Sequence, residues 1–229
     1  RNNHSNNDGI DLDGCENVLI ESCDINSGDD AICLKSSLNP CRNIVVRGCR
    51  VASNTAPLKF GTSSHGGFID VRVTNCYFYD SPMGAMKLAL VDGGRLENIR
   101  ISRLVMDNVG CPIFIRLGNR GSTFGKGGKA PMGSLKNIHI SDVVAKVTLQ
   151  DRDRSGDYWE RENTKADSIT ISGNPAAMPR ISSWKTPRAP FPAMRPKQRP
   201  NASCRKMKTA IRSSTSSAYY RSGRIRASC

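Results

Sequence analysis

The fold this sequence predicts is all-β, a parallel β-helix, on three observations. A short strand phrase recurs through residues 1–174, no helical periodicity separates its copies, and one fixed position behind the first five copies holds an apolar residue. Parallel strands need a long return path, ordinarily a helix. A repeat without helices must return through further strands and turns, which makes a β-helix.

In chain order the phrases are Asn17-Val18-Leu19-Ile20, Asn43-Ile44-Val45-Val46, Asp70-Val71-Arg72-Val73, Asn98-Ile99-Arg100-Ile101, Asn137-Ile138-His139-Ile140 and a weaker Ser168-Ile169-Thr170-Ile171. They follow one another at steps of 26, 27, 28, 39 and 31 residues. Each is a brief run rich in β-branched residues, set between Gly, Asn, Ser and Asp turn residues. Six residues after the leading Asn or Asp stand Cys23, Cys49, Cys76, Leu104 and Val143. All five are therefore expected at one interior position of successive coils, with the cysteines as buried thiols and not as disulfides. The missing helical and Leu-rich signatures exclude ankyrin and leucine-rich arrays.

A second strand frame runs alongside. Asp8-Gly9-Ile10-Asp11-Leu12 and Asp30-Ala31-Ile32-Cys33-Leu34 share D-x-I-x-L at an offset of 22 residues. Leu58 and Phe60, Met86 and Leu88, then Ile113 and Ile115 continue it. Adjacent coils stack at roughly 4.8 Å, so Asp8 and Asp30 are expected one above the other at the entrance to equivalent strands.

Charge divides the chain near residue 175. Residues 175–229 hold 13 of the 34 Lys and Arg, 7 of the 12 prolines and none of the 20 Asp and Glu, which leaves 21 bases against 20 acids in residues 1–174. The excess positive charge thus lies outside the patterned part, and no nucleic-acid partner is expected. No run of 18 apolar residues is present, so no membrane span is expected. The chain opens at Arg1 among polar residues, and any secretory signal would lie upstream.

Two stacked carboxylates with Asp29 beside them place three acids in one small area. Like charges so close resist joint ionisation, and one of them keeps a proton near neutral pH. Glycosidic hydrolysis needs that division: a protonated acid for the leaving oxygen and a carboxylate to take a proton from water. Asp in N-D-G or G-D-D is ordinary turn chemistry at a single site; two such sites in register on neighbouring coils point to catalysis.

At these residues the sequence resembles the polygalacturonase-like proteins, glycoside hydrolase family 28. Asn6-Asn7-Asp8-Gly9-Ile10-Asp11 matches the family's Asn-x-Asp-Gly phrase, and Gly28-Asp29-Asp30-Ala31-Ile32 its Gly/Gln-Asp-Asp phrase. The resemblance covers about residues 1–174 and implies an incomplete right-handed parallel β-helix. It further implies inverting hydrolysis with Asp29 as general acid and with Asp8 and Asp30 activating water. A monomer acting on pectic polysaccharide, secreted or periplasmic, follows from the same resemblance. Where the family carries Gly-His-Gly, Ala56 replaces the His; of an Arg-x-Lys phrase that grips galacturonate, Ala85-Met86-Lys87 keeps only the Lys. Bidentate carboxylate recognition belongs to Arg, which makes a rhamnogalacturonan-type substrate an alternative.

Lys59 and Lys87 fall at matching frame positions and could form a cationic strip for an acidic sugar, and His65 is a third candidate for substrate contact. His4, His65 and His139 show no metal-ligand spacing, and neither metal nor other cofactor is expected. Two further readings compete. A calcium-dependent polysaccharide lyase would hold its ion with Asp8, Asp11, Asp13, Asp29 or Asp30; a non-catalytic carbohydrate-binding β-helix would not require the acid triad.

The division of the chain is therefore a catalytic β-helix over 1–174 and a basic, unstructured tail over 175–229. At the preceding rate the tail should hold about six acids and has none. Pro179 to Thr186 can be written in codons that, read from the third base of the Met178 codon, give Ala-Glu-Asp-Ile-Phe-Leu-Glu-Asn, another coil phrase. The expectation is a reading-frame slip near Asn174.

Overall fold

Alternation of apolar and polar residues dictates short strands buried on one face. The computed structural model stacks them coil upon coil, and it describes residues 6–120, 130–148, 169–173, 219–221 and 224–228. The first coil is β1 (Ile10–Asp13), β2 (Glu16–Glu21) and β3 (Asp24–Ser27); the second is β4 (Ile32–Ser36), β5 (Cys41–Arg47) and β6 (Arg50–Ser53). In the next coils two segments run together: β7 (Leu58–Ser64) with β8 (Phe68–Ser81), β9 (Met86–Leu90) with β10 (Arg95–Val109), and β11 (Ile113–Leu117) with β12 (Ser134–Val147). A further strand, β13 (Ile169–Gly173), opens the next turn. Among the described residues there is no helix.

One sheet is parallel throughout, in the order β1-β4-β7-β9-β11-β13. The other stacks β2, β5, β8, β10 and β12 in parallel, with β3 and β6 continuing onto the second half of β8. The register is the one the two sequence frames require. Ile10, Ile32, Leu58, Met86 and Ile113 form one column, and Val18, Ile44, Val71, Ile99 and Ile138 another. Burying each such side chain contributes about 1.5–3 kcal/mol. Cys23, Cys49 and Cys76 are free and buried, and the column goes on in register from Cys76 to Leu104 and Val143.

The leading Asn or Asp of each phrase proves to be a corner. Asn17, Asn43, Asp70, Asn98 and Asn137 all have φ between 53° and 57°, a left-handed conformation that Asn and Asp tolerate better than other side chains. Their side chains ladder along the stack: Asn43 Nδ2 donates to Asn17 Oδ1 (2.7 Å), Asn98 Nδ2 to Asp70 Oδ1 (2.9 Å) and Asn137 Nδ2 to Asn98 Oδ1 (3.0 Å). A second row of left-handed corners follows at Ser22, Gly48, Asn75, Arg103 and Asp142.

One sequence expectation is corrected. Ile169-Thr170-Ile171 does not repeat the corner phrase; it lies in the first sheet, with Ile169 opposite Ile113 and Ile171 opposite Ile115. Two apolar residues flanking a polar one suit either sheet, and the corner Asn that would tell them apart is absent. In the tail, β14 (Tyr219–Arg221) and β15 (Arg224–Ser228) lie antiparallel on β3 and β2, so these two segments are strands where no structure was expected. The rest of 175–229 lies outside the described residues.

Two predictions follow from the stack. Asn98→Ala should destabilise the protein by about 2 kcal/mol, through a left-handed alanine and two lost side-chain bonds. Asn98→Gly should cost less because it relieves only the backbone strain; equal losses in chemical denaturation would contradict the corner assignment. Alkylation of unfolded, unreduced protein followed by peptide mapping should label Cys23, Cys49 and Cys76, and a disulfide at any of them would refute the interior register.

Candidate active site

Asp8 and Asp30 stand immediately before β1 and β4, one coil apart. The Gly9 amide donates to the Asp30 carbonyl (2.9 Å) and the Ile10 amide to that of Ala31 (2.8 Å). A side chain at Gly9 would put its Cβ 2.5 Å from the Ala31 carbonyl oxygen, so glycine lets the two coils approach here. Asp29 is tied across the same gap by its amide, which donates to the Asn7 carbonyl (3.1 Å). The result is one cluster: an oxygen of each of Asp8, Asp29 and Asp30 lies within 4.8 Å of the others.

Each carboxyl has a different set of partners. Asp29 accepts from the Asn6 amide at Oδ2 (2.9 Å) and from the Asp30 amide at Oδ1 (2.9 Å). Asp30 accepts from the Lys59 ammonium at Oδ2 (2.7 Å) and from the Thr55 hydroxyl at Oδ1 (2.7 Å). Thr55 Oγ1 also lies 3.0 Å from Asp29 Oδ1. Lys35 donates to Asp8 Oδ2 (2.9 Å) and to Asp11 Oδ2 (2.7 Å). Beneath them the buried hydroxyls of Ser27 and Ser53 both donate to the Asp29 carbonyl, and the Thr55 amide donates to Ser53 Oγ (2.9 Å).

Burial pushes the Asp8 carboxyl up to about 7; the Lys35 hydrogen bond opposes this, and the negative charge of Asp11 adds to it. For Lys59, burial works against the charge, but Asp30 outweighs it and holds the ammonium above its ordinary value. Lys35 is likewise raised, burial being overcome by contacts that include Asp11 and Asp8. The three aspartates have the spacing of ligands around one cation, and two lysine ammonium groups already deliver positive charge to them.

Of the residues singled out in the sequence, Asp8, Asp29 and Asp30 converge as expected. Lys59 turns onto Asp30, and Lys87 sits beside it in register on the next coil. His65 follows β7, whereas Thr55 precedes it, so His65 and the aspartates belong to opposite ends of that sheet. Ala56, where the resembled family has His, is buried and accepts the Ala31 amide through its carbonyl (2.9 Å). Lys35, Thr55 and the serine pair were not foreseen. Only the column register could have found Lys35, Thr55 and Ser53, because they reach the aspartates from 24 to 27 residues away, whereas Ser27 stands two residues before Asp29.

Comparison with known proteins bears on this arrangement. The model of the glycosyl hydrolases family 28 matches residues 1–173. A probable polygalacturonase from Vitis vinifera is 30% identical over 127 residues, covering 51% of this chain and 26% of its own length. A probable polygalacturonase from Arabidopsis thaliana is 32% identical over 114 residues, covering 48% of this chain and 24% of its own length. The matched part thus spans about a quarter of either relative. No solved structure matches the chain.

The raised Asp8 carboxyl fixes a sign for stability. Between its ordinary value of 3.8 and about 7, the folded protein keeps a proton that the unfolded chain has released, so stability falls as pH rises through that window. Asp8→Asn removes the effect. The melting temperature of the variant relative to the unaltered protein should be higher at pH 8 than at pH 4 by at least about 3 °C; a flat or opposite difference would contradict the burial of Asp8.

Proposed function

The chain belongs to glycosyl hydrolase family 28, and on that premise we propose that its full protein hydrolyses the glycosidic bonds of a pectic polysaccharide. The observation that carries the reading is the cluster of Asp8, Asp29 and Asp30, with Lys59 and Lys35 against two of its members. Asp29 acts as general acid, giving its proton to the leaving glycosidic oxygen. Asp30, and Asp8 once it ionises at about 7, form the pair that takes one proton from water as its oxygen attacks the anomeric carbon and the carbon–oxygen bond breaks. One water is consumed, and no electron acceptor or donor is needed.

Inverting sites ordinarily separate their two carboxyl groups by about 6.5–9.5 Å to admit the water. Here one oxygen of each of the three carboxyls lies within 4.8 Å of the others, and the water would approach the Asp8 and Asp30 pair from its outer edge. Lys87, one coil beyond Lys59 in the same column, would meet a sugar carboxylate. Both relatives are named as polygalacturonases, and homogalacturonan is accordingly the first substrate to test. A rhamnogalacturonan-type polymer comes second, since a lysine offers a point charge where an arginine would offer a fork. Action as a monomer outside the cell or in the periplasm suits an insoluble wall polymer, and pectin degradation during cell-wall remodelling is the process it would serve.

Release of reducing ends from a panel of pectic polymers by the full-length protein tests the substrate. Asp29→Asn should lower turnover by several orders of magnitude while leaving polymer binding nearly unchanged, because an acid acts in the transition state. A variant that keeps more than about a tenth of the turnover would remove Asp29 from that role. Unsaturated, ultraviolet-absorbing products abolished by a chelator would replace hydrolysis by elimination. Proton NMR of the first product should show the inverted anomer, and retention would refute the water-activating pair.

A further inference from the structure

The outward face of the first sheet does not end at Lys87. In register beyond it stands Phe114, and two residues farther along β11 stands Arg116, between Ala89 on one neighbouring strand and Ser172 on the other. Strand β11 alternates: Ile113, Ile115 and Leu117 are buried, Phe114 is half-buried and Arg116 is exposed. Of the two aromatic residues in the six strands of this sheet, Phe60 is wholly buried in the core, which leaves Phe114 as the one on the outward face. Arg116 is the one arginine in those strands. Among the described residues it makes no ion pair.

The surroundings leave this guanidinium room. Ala89 and Ser172 are small, and a side chain at Gly118 would put its Cβ 3.5 Å from Arg116 Nε and 2.9 Å from Val91 Cγ1. Arg116 therefore leans along its strand beside a position that glycine keeps open. The next arginine is differently employed: Arg120 donates through Nε and Nη2 to the carboxylate of the buried Asp92, which balances its charge. Arg116 keeps its charge and its planar fork of donors for a partner outside the fold.

Resting on the hydrolysis proposed above, we infer that Phe114 and Arg116 form a distal subsite that takes an unesterified uronate ring of the polymer. Phe114 offers apolar surface to the C–H face of the pyranose, and the Arg116 guanidinium takes its carboxylate through two parallel N–H···O bonds. The subsite lies three strands from β4, which Asp30 precedes, a separation of roughly 14 Å at the usual strand spacing. That exceeds the width of one sugar ring, so the subsite grips a part of the chain that is not being cut. Lys59 and Lys87 stand on the two strands between, and cations therefore lie on three successive strands that an anionic polymer would cross. Ala85, where the resembled family carries its arginine, is buried; Arg116 supplies a guanidinium one coil farther on.

Unesterified galacturonate oligomers of defined length, given to the full-length protein, test the subsite. Arg116→Ala should raise KM about tenfold for oligomers long enough to reach the fifth coil, with kcat little changed and the shortest substrates unaffected. Arg116→Lys keeps the charge without the fork and should recover part of the loss. Phe114→Leu, which keeps most of the apolar volume, should weaken the same long oligomers and spare the short ones. Arg100→Gln removes an equally exposed arginine from the second sheet and should change nothing; thermal unfolding of each variant identifies any loss of fold. An equal effect of Arg116→Ala at every length, no effect at any length, or the same effect from Arg100→Gln would overturn the inference. Calorimetric binding of the same oligomers separates it from the reaction: length-dependent binding that Arg116→Ala weakens, without turnover, would sink the proposed hydrolysis and keep the subsite. Absence of oligomer binding by the unaltered protein would remove the subsite.

Discussion

Every coil turns its corner through a residue in the left-handed conformation, and that residue is stacked on its counterpart in the neighbouring coil. Asn17, Asn43, Asp70, Asn98 and Asn137 repeat φ to within a few degrees, and hydrogen bonds link their side chains in pairs along the stack. Parallel strands could slide by a coil position without losing the count of backbone bonds, but a slip of one residue would turn every apolar side chain outward. The corner row prevents the slip. Once it is fixed, the cysteine column, the Ile and Leu columns and the entrance to the first sheet are all fixed with it.

Alignment of the acids is a by-product of this register. Asp8 and Asp30 meet because Ile10 lies opposite Ile32, and Thr55 and Lys59 meet them because Ile32 lies opposite Leu58. A small area then carries three carboxylates and two ammonium groups, all contributed by three successive coils. Neighbouring carboxylates disfavour joint ionisation, whereas each lysine favours the charged form of the acid it touches. The arrangement therefore distributes protons unequally, as acid and base chemistry at one bond requires.

The apolar columns were legible in the sequence because their signal is local, two apolar residues flanking a polar one at every coil. The three aspartates were legible because turn chemistry repeated in register. The assignment of Ile169 and Ile171 to the corner phrase failed where that local signal is degenerate: both sheets accept it, and no Asn stands at its head. Lys35, Thr55 and Ser53 were illegible for another reason. Each is ordinary in its own segment and gains its role only from the coil above or below. His65 shows the converse, since a histidine near the right place in sequence lies past the wrong end of β7.

The first strand shows how the fold protects such a site. In a stacked repeat each coil is held by its neighbours alone, and among the described residues β1 pairs with β4. Three acids, Asp8, Asp11 and Asp13, lie along or just before it, and all three bond to the second coil. Lys35 takes the first two, while the Ser37 amide and hydroxyl both donate to Asp13 at 2.8 Å. Half-buried charge pairs of this kind add little to overall stability when solvent can replace them, but they fix where the strand sits on its neighbour. The same lysine that opposes the effect of burial on Asp8 thus also anchors the strand that follows it, so one contact both holds the carboxyl in place and counters the rise that burial imposes on it.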